Sequence, residues 1–231
     1  MNRLDPRPSV IDTRLSGVNR IVAVTGWKGG IGKSVTAATL ALLLAKKGLR
    51  AGLLDLDLAG ASAHVALGAG NAVPKEEMGL EPPVIAGVKL MSVSFFSDNK
   101  AVPLRGANIS DAIVEMLAIT QWGELDFLII DMPPGINDTA LDVIKLLPRS
   151  EVLAVTTPSV LARSVLARSL ALYKRLKVPV LGVITNMARG SRSVPNSVRY
   201  DPALEKALGF PVKLLKTAFA KDLEKIIPDI R

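Results

Sequence analysis

The densest chemistry in the chain lies in one short run, Trp27-Lys28-Gly29-Gly30-Ile31-Gly32-Lys33-Ser34. Glycines at 29, 30 and 32 let a backbone bend until successive N–H groups point inward at an anion. A lysine and a hydroxyl immediately after the last glycine are the pair needed to hold a nucleotide: Lys33 to reach β- and γ-phosphates, Ser34 to ligate Mg²⁺. The strict pattern for such a loop would require glycine at position 27, where this chain has tryptophan. Backbone groups from Gly29 through Val35 are expected to contact the phosphates.

Three further segments carry polar residues at the ends of apolar runs. Leu53-Leu54-Asp55-Leu56-Asp57 ends in two carboxylates that are expected to point apart and must be paired or given a cation. Leu128-Ile129-Ile130-Asp131 delivers another acid, placed to hold a Mg²⁺-bound water, with Gly135 just beyond to offer its N–H to a γ-phosphate. Asp138 reads equally as a further site acid or as a helix N-cap. Val183-Ile184-Thr185-Asn186 ends in an amide able to pair with both the amino group and a ring nitrogen of adenine.

These groups need strands to deliver them and helices to cover those strands. Apolar runs predict strands at 21–25, 51–55, 89–94, 127–131, 152–156, 180–185 and 212–215. Helical patterns are predicted between them at 32–47, 108–121, 139–147, 160–176, 201–208 and 219–226. The alternation implies an α/β fold: a doubly wound, mostly parallel sheet with helices on both faces. Ligands of such sheets bind beyond the carboxyl ends of the strands, where every motif above falls. Residues 1–17 read as a poorly ordered arm and 18–231 as one domain, with 69–83 a surface excursion.

Composition agrees with that class. The chain has 231 residues, 49% hydrophobic but only 4% aromatic, as suits strands covered on both sides. The run from Val35 to Ala45 is too short to cross a bilayer, and the first residues offer no apolar leader, so a cytoplasmic protein is expected. With no cysteine and one histidine, His64, thiolate metal sites within this chain are excluded. The net charge of +8 is uneven: residues 1–144 sum to −2 and 145–231 to +10. The basic half could attract nucleic acid, anionic lipid or an acidic partner, or be a solvated surface.

Lys28 ahead of the double glycine makes the loop resemble the deviant Walker A loop of the MinD/ParA/nitrogenase iron-protein/Mrp superfamily. The runs Leu53–Ser62, Gly87–Ser92, Arg105-Gly106, Trp122–Gly135 and Val180–Met187 are most similar to the Mrp/ApbC family of ATPases that carry iron–sulfur clusters. The resemblance implies an ATP-dependent homodimer in which Lys28 crosses to the partner's phosphates. It also implies that Asp57 positions the attacking water and contacts the Mg²⁺ shell, with Asp55 more structural. Cluster-carrying members have a Cys-x-x-Cys pair shortly after the Asn-Met; here Ala188–Ser197 has no thiol, and serine is a poor replacement. The expectation is therefore a Mg²⁺-dependent ATPase switch using ATP and Mg²⁺, with no cluster from this chain alone and with an unidentified client. The alternatives are a ParA/MinD-like positioning ATPase that binds DNA, membrane or a protein, and a nucleotide-binding scaffold without turnover.

Overall fold

The computed structural model describes residues 5–57, 60–96, 107–189 and 195–226, with only the backbone of Ala107 and Asn108. The chain begins with α1 (Arg7–Arg14), then runs β1 (Val18–Thr25), α2 (Lys33–Lys46), β2 (Ala51–Asp55) and α3 (Ala63–Leu67). Four short strands follow, β3 (Lys75–Glu76), β4 (Leu80–Glu81), β5 (Val84–Ile85) and β6 (Val88–Ser92). Next come α4 (Ala107–Ile119), β7 (Leu125–Asp131), α5 (Asp138–Leu146), β8 (Ser150–Thr156), α6 (Val160–Arg175) and β9 (Val180–Ala188). The last elements are β10 (Ser197–Arg199), α7 (Pro211–Leu214) and α8 (Ala218–Ile226).

Among the described residues, eight strands form one sheet in the order β10-β9-β8-β1-β7-β2-β6-β5, and of its pairs only β5–β6 is antiparallel. The side-chain period of two explains why both faces are apolar. Along β1, Val22 and Val24 join a core with α2 and α8, while Ile21 and Ala23 join a second core with α1, α4 and α5. Strand β7 splits the same way, Phe127 and Ile129 against Leu128 and Ile130. Each strand therefore has to be apolar throughout, which is how these strands read. Helix α2 is buried from Thr36 to Leu44 and apolar nearly all round, as a helix wedged deep against a sheet must be.

Several expectations give way. The arm is helical from Arg7 to Arg14, because Ile11 and Leu15, four residues apart, both bury against the α4 side of the sheet. The strand expected at 212–215 is instead α7, with Pro211 in its first turn, where a missing N–H costs nothing. The helix expected at 201–208 reduces to one 3₁₀ turn at Glu205–Ala207. The Asp201 carboxylate there accepts from the backbone of Ala203 and reaches Ala218 and Phe219, tying the segment to the start of α8. The excursion at 69–83 carries the β3–β4 hairpin. Arg105, Gly106 and the middle of the Ala188–Ser197 stretch lie outside the described residues. Among the described residues, no helix is long and apolar enough to cross a membrane.

Candidate nucleotide site

Strand order creates the site. The chain leaves β1 through α2 and returns at β2, passing over β7, and leaves β7 through α5 to β8, passing over β1. Connections thus depart in opposite directions from neighbouring strands, and a crevice opens beyond their carboxyl ends. In register, Val24 of β1 lies beside Asp131 of β7, which lies beside Asp55 of β2.

The loop between β1 and α2 turns on two glycines in the left-handed region, Gly30 at φ 76° and Gly32 at φ 84°. Gly32 is the N-cap of α2 and has no side chain to offer, so the first N–H groups of that helix are left for an anion. A Cβ on Gly32 would run into the Asn186 side-chain amide. Lys28, Gly29, Gly30, Gly32, Lys33, Ser34 and Val35 all border a cleft of about 540 Å³. Ile31 turns inward and is buried. Lys28 is exposed, with no ion-pair partner among the described residues.

The Lys33 ammonium is buried between carboxylates, 2.5 Å from Asp131 and 3.7 Å from Asp57. Burial, and secondarily the neighbouring Asp55, pushes the Asp131 carboxyl up to about 6 despite Lys33. Its second oxygen, Oδ2, is buried with no hydrogen-bond partner among the described residues. A buried lone pair of this kind is costly unless a cation or a water meets it. That observation fits Mg²⁺, which is typically held by one or two carboxylates together with phosphate oxygens.

Asp55 and Asp57 differ, though not because a strand separates them. Residues two apart in a strand share a face, but β2 ends at Asp55 and the chain turns. Asp55 is fully buried and accepts from the backbone N–H groups of Asp57, Ser62 and Ala63, so it anchors the loop. Burial raises its pKa against those donors. Asp57 borders the cleft, its Oδ1 accepting from Gly60 and its Oδ2 facing Lys33.

Two residues are occupied differently from expectation. The Gly135 N–H, expected to face a phosphate, donates to the Gly26 carbonyl at 2.8 Å, latching the segment after β7 onto the loop after β1. Asn186, expected to read adenine, donates to the Ile31 carbonyl and accepts from the Met187 N–H. Each of its amide atoms retains one further hydrogen-bonding position. The N-cap of α5 is Asn137, accepting from Ala140, which leaves Asp138 exposed in the first helical turn. His64 sits half-buried on α3, away from these groups, its pKa lowered by burial.

The far wall of the cleft escaped sequence reasoning. Met187, Arg199, Tyr200, Asp201, Pro202 and Leu204 face the loop across the cleft. The Arg199 guanidinium lies 2.6 Å from Asp222 of α8, and the Arg189 guanidinium stacks 4.5 Å from the Tyr200 ring centre. The only local signal was the Asp201-Pro202 turn, which says nothing about where the turn docks.

Comparison with known proteins shows the family and the fold. A family model described as ParA, NUBPL iron-transfer P-loop NTPase, matches residues 17–198. The chain belongs to that family. It is 40% identical over 178 residues to an iron-sulfur cluster carrier protein of Pseudomonas fragi, covering 75% of this chain and 62% of that protein. The Escherichia coli carrier is 38% identical over 177 residues, covering 75% of this chain but 48% of the relative. The chain thus spans less than two thirds of the length of either relative, 62% of one and 48% of the other. An Archaeoglobus fulgidus nucleotide-binding protein solved with ADP superposes with a TM-score of 0.70 at 31% identity, over 96% of this chain and 94% of that one. The septum site-determining protein MinD of Pyrococcus horikoshii, solved with Mg-ADP, shares the fold with a TM-score of 0.68 at 20% identity, over 91% of this chain and 95% of that one. The family match places the chain among P-loop NTPases, and its curated relatives are named as iron-sulfur cluster carriers. The chain itself holds no cysteine.

Proposed function

We propose that the chain is a Mg²⁺-dependent ATPase that works as a dimerising switch, without cluster ligands of its own. The observation that carries the reading is the buried Lys33 poised between Asp131 and Asp57 at the mouth of a glycine-bent loop. Phosphate oxygens entering the loop compete with those carboxylates for the ammonium and meet the free N–H groups of α2. Ser34 and Asp131 would hold Mg²⁺, which when bound neutralises charge on the β- and γ-oxygens. Asp57, the least buried acid of the three, orients the attacking water. Lys28, exposed and without an ion-pair partner among the described residues, supplies positive charge to the phosphates of a partner subunit, much as an arginine finger does. Because Gly135 is latched to Gly26, contact of its N–H with a γ-phosphate requires the latch to open, which couples nucleotide state to α5. The base is held between Asn186 and the far wall.

The test is turnover of ATP by Lys28→Ala and Asp57→Ala. A fall of about 10³-fold for Lys28→Ala is expected for a contact of this class, with nucleotide binding retained. Unchanged hydrolysis in both variants would reject the mechanism. A positioning role on DNA or anionic membrane is the second reading, favoured by the +10 carried by residues 145–231. It requires ATP-dependent binding to DNA or phosphatidylserine vesicles that weakens with salt. Relatives are named as iron–sulfur carriers, so a client that brings its own thiols is compatible with the switch.

A further inference from the structure

Between Glu151 and Asp201 the sequence holds eight Lys and Arg residues and not one carboxylate. On α6 and the turn that follows, Arg163, Arg168, Lys174, Arg175 and Lys177 are exposed and make no ion pair among the described residues. At the carboxyl end of α6 this charge meets a groove of about 390 Å³ between α5 and α6. Its floor is apolar, with Leu141, Ile144 and Leu147 on one side and Leu172 and Val178 on the other. The charged lining residues are Lys145, Arg175 and Lys177, and no acid is among them. Lys145 is drawn to Asp142 at 3.3 Å, which leaves Arg175 and Lys177 to a ligand.

The turn closing α6 supports a ligand there. Lys177 lies at φ 58°, in the left-handed region, and closes a helix stop in which the Val178 N–H bonds to the Tyr173 carbonyl. Glycine takes this position without strain and is the usual residue. Lysine accepts the strain and brings a cation to the groove rim. The groove lies near Ser150 and Pro179, at the amino ends of β8 and β9, the opposite end of the sheet from the nucleotide cleft.

We propose that this groove docks an acidic amphipathic peptide segment of a partner protein, its apolar side chains on the floor and its carboxylates against Arg175 and Lys177. Charge complementarity selects an acidic partner, and the recessed apolar floor selects a peptide. A duplex or a bilayer surface would meet only the rim.

The experiment titrates the full chain with a fluorescein-labelled synthetic peptide of Leu and Glu at helical spacing, read by anisotropy. Two control peptides replace every Glu with Lys, or every Leu with Gln. Saturable binding of the Leu/Glu peptide alone is expected, weakened about tenfold by Arg175→Glu with Lys177→Glu and also by Leu176→Gln at the exposed lip. Excess ADP should not displace it, which separates this site from the cleft. Matching thermal melts check the variants' fold, and Arg175→Gln with Lys177→Gln replaces the first pair should it melt early. Equal binding of the Leu-free peptide, or displacement by duplex DNA or phosphatidylserine vesicles that Leu176→Gln does not alter, would show a generic polyanion surface and overturn the proposal. Displacement by ADP, insensitivity to every substitution, or no binding would overturn it as well.

Discussion

The two walls of the nucleotide cleft are built on different principles. The loop wall is assembled by backbone: three strand ends in register, two glycines in the left-handed region and a buried helix start. The far wall is assembled by side chains reaching between distant segments. Arg199 clamps Asp222, Asp201 caps α8, and Asn186 braces the loop from across the cleft. The first wall can be expected to break all at once, the second piece by piece.

The sharpest break should come from Lys33→Met, which leaves Asp131 buried and without its cation. A loss of about 3–5 kcal/mol is expected from urea unfolding. A loss below about 1 kcal/mol would mean that Asp131 is already protonated or wetted, and the electrostatic account of this wall would fail. Gly32→Ala should come next. It costs about 1–2 kcal/mol for a left-handed residue, with further cost from the collision with Asn186, and nucleotide affinity falls in calorimetry. On the far wall, Asp201→Ala removes the acceptor for Ala218 and Phe219 and should cost only about 1 kcal/mol. It should weaken ADP binding while leaving pyrophosphate binding unchanged, because pyrophosphate touches only the loop wall. Equal losses for both ligands would erase the distinction between the walls.

A change of pH separates the walls by the sign of its effect. Burial raises the folded Asp131 carboxyl to about 6 from 3.8, so as pH falls from about 6 toward 4 the folded chain takes up this proton before the unfolded chain does. Stability should therefore rise over that window. Asp222 behaves in the opposite sense. Burial alone would raise it, but its bonds to Arg199 outweigh burial and hold it below 3.8. Its contribution is present above 3.8 and is lost as pH falls through the lowered value. Unfolding midpoints followed from pH 7 to pH 2.5 should lose the first feature in Asp131→Asn and the second in Asp222→Asn.

Legibility in the sequence follows the same division. Strand β2 is read residue for residue at Ala51–Asp55, and α2 within a residue at each end, because apolar periodicity and glycine spacing are local signals. The short β10 escaped because three residues have no periodicity, and α1 because Val10, Ile11 and Leu15 are isolated apolar residues in a polar stretch. The 201–208 segment misled because its helical pattern competes with Asp201, whose better partners are distant in sequence.

By itself the sequence determined the mostly parallel α/β class and the glycine-bent loop, and it nominated Lys28, Lys33, Ser34, Asp57 and Asp131 for the site, since each of these readings follows from residue type and near-neighbour spacing. Tertiary structure alone decided the bonds each group makes. It turned Asp55 into a loop anchor, gave the Gly135 N–H to Gly26, set Asn186 against Ile31, and brought Tyr200 and Asp201 to the cleft. The reason is physical. A buried donor or acceptor must be satisfied by whatever group the fold places beside it, and that neighbour is chosen by strand order and packing rather than by distance along the chain.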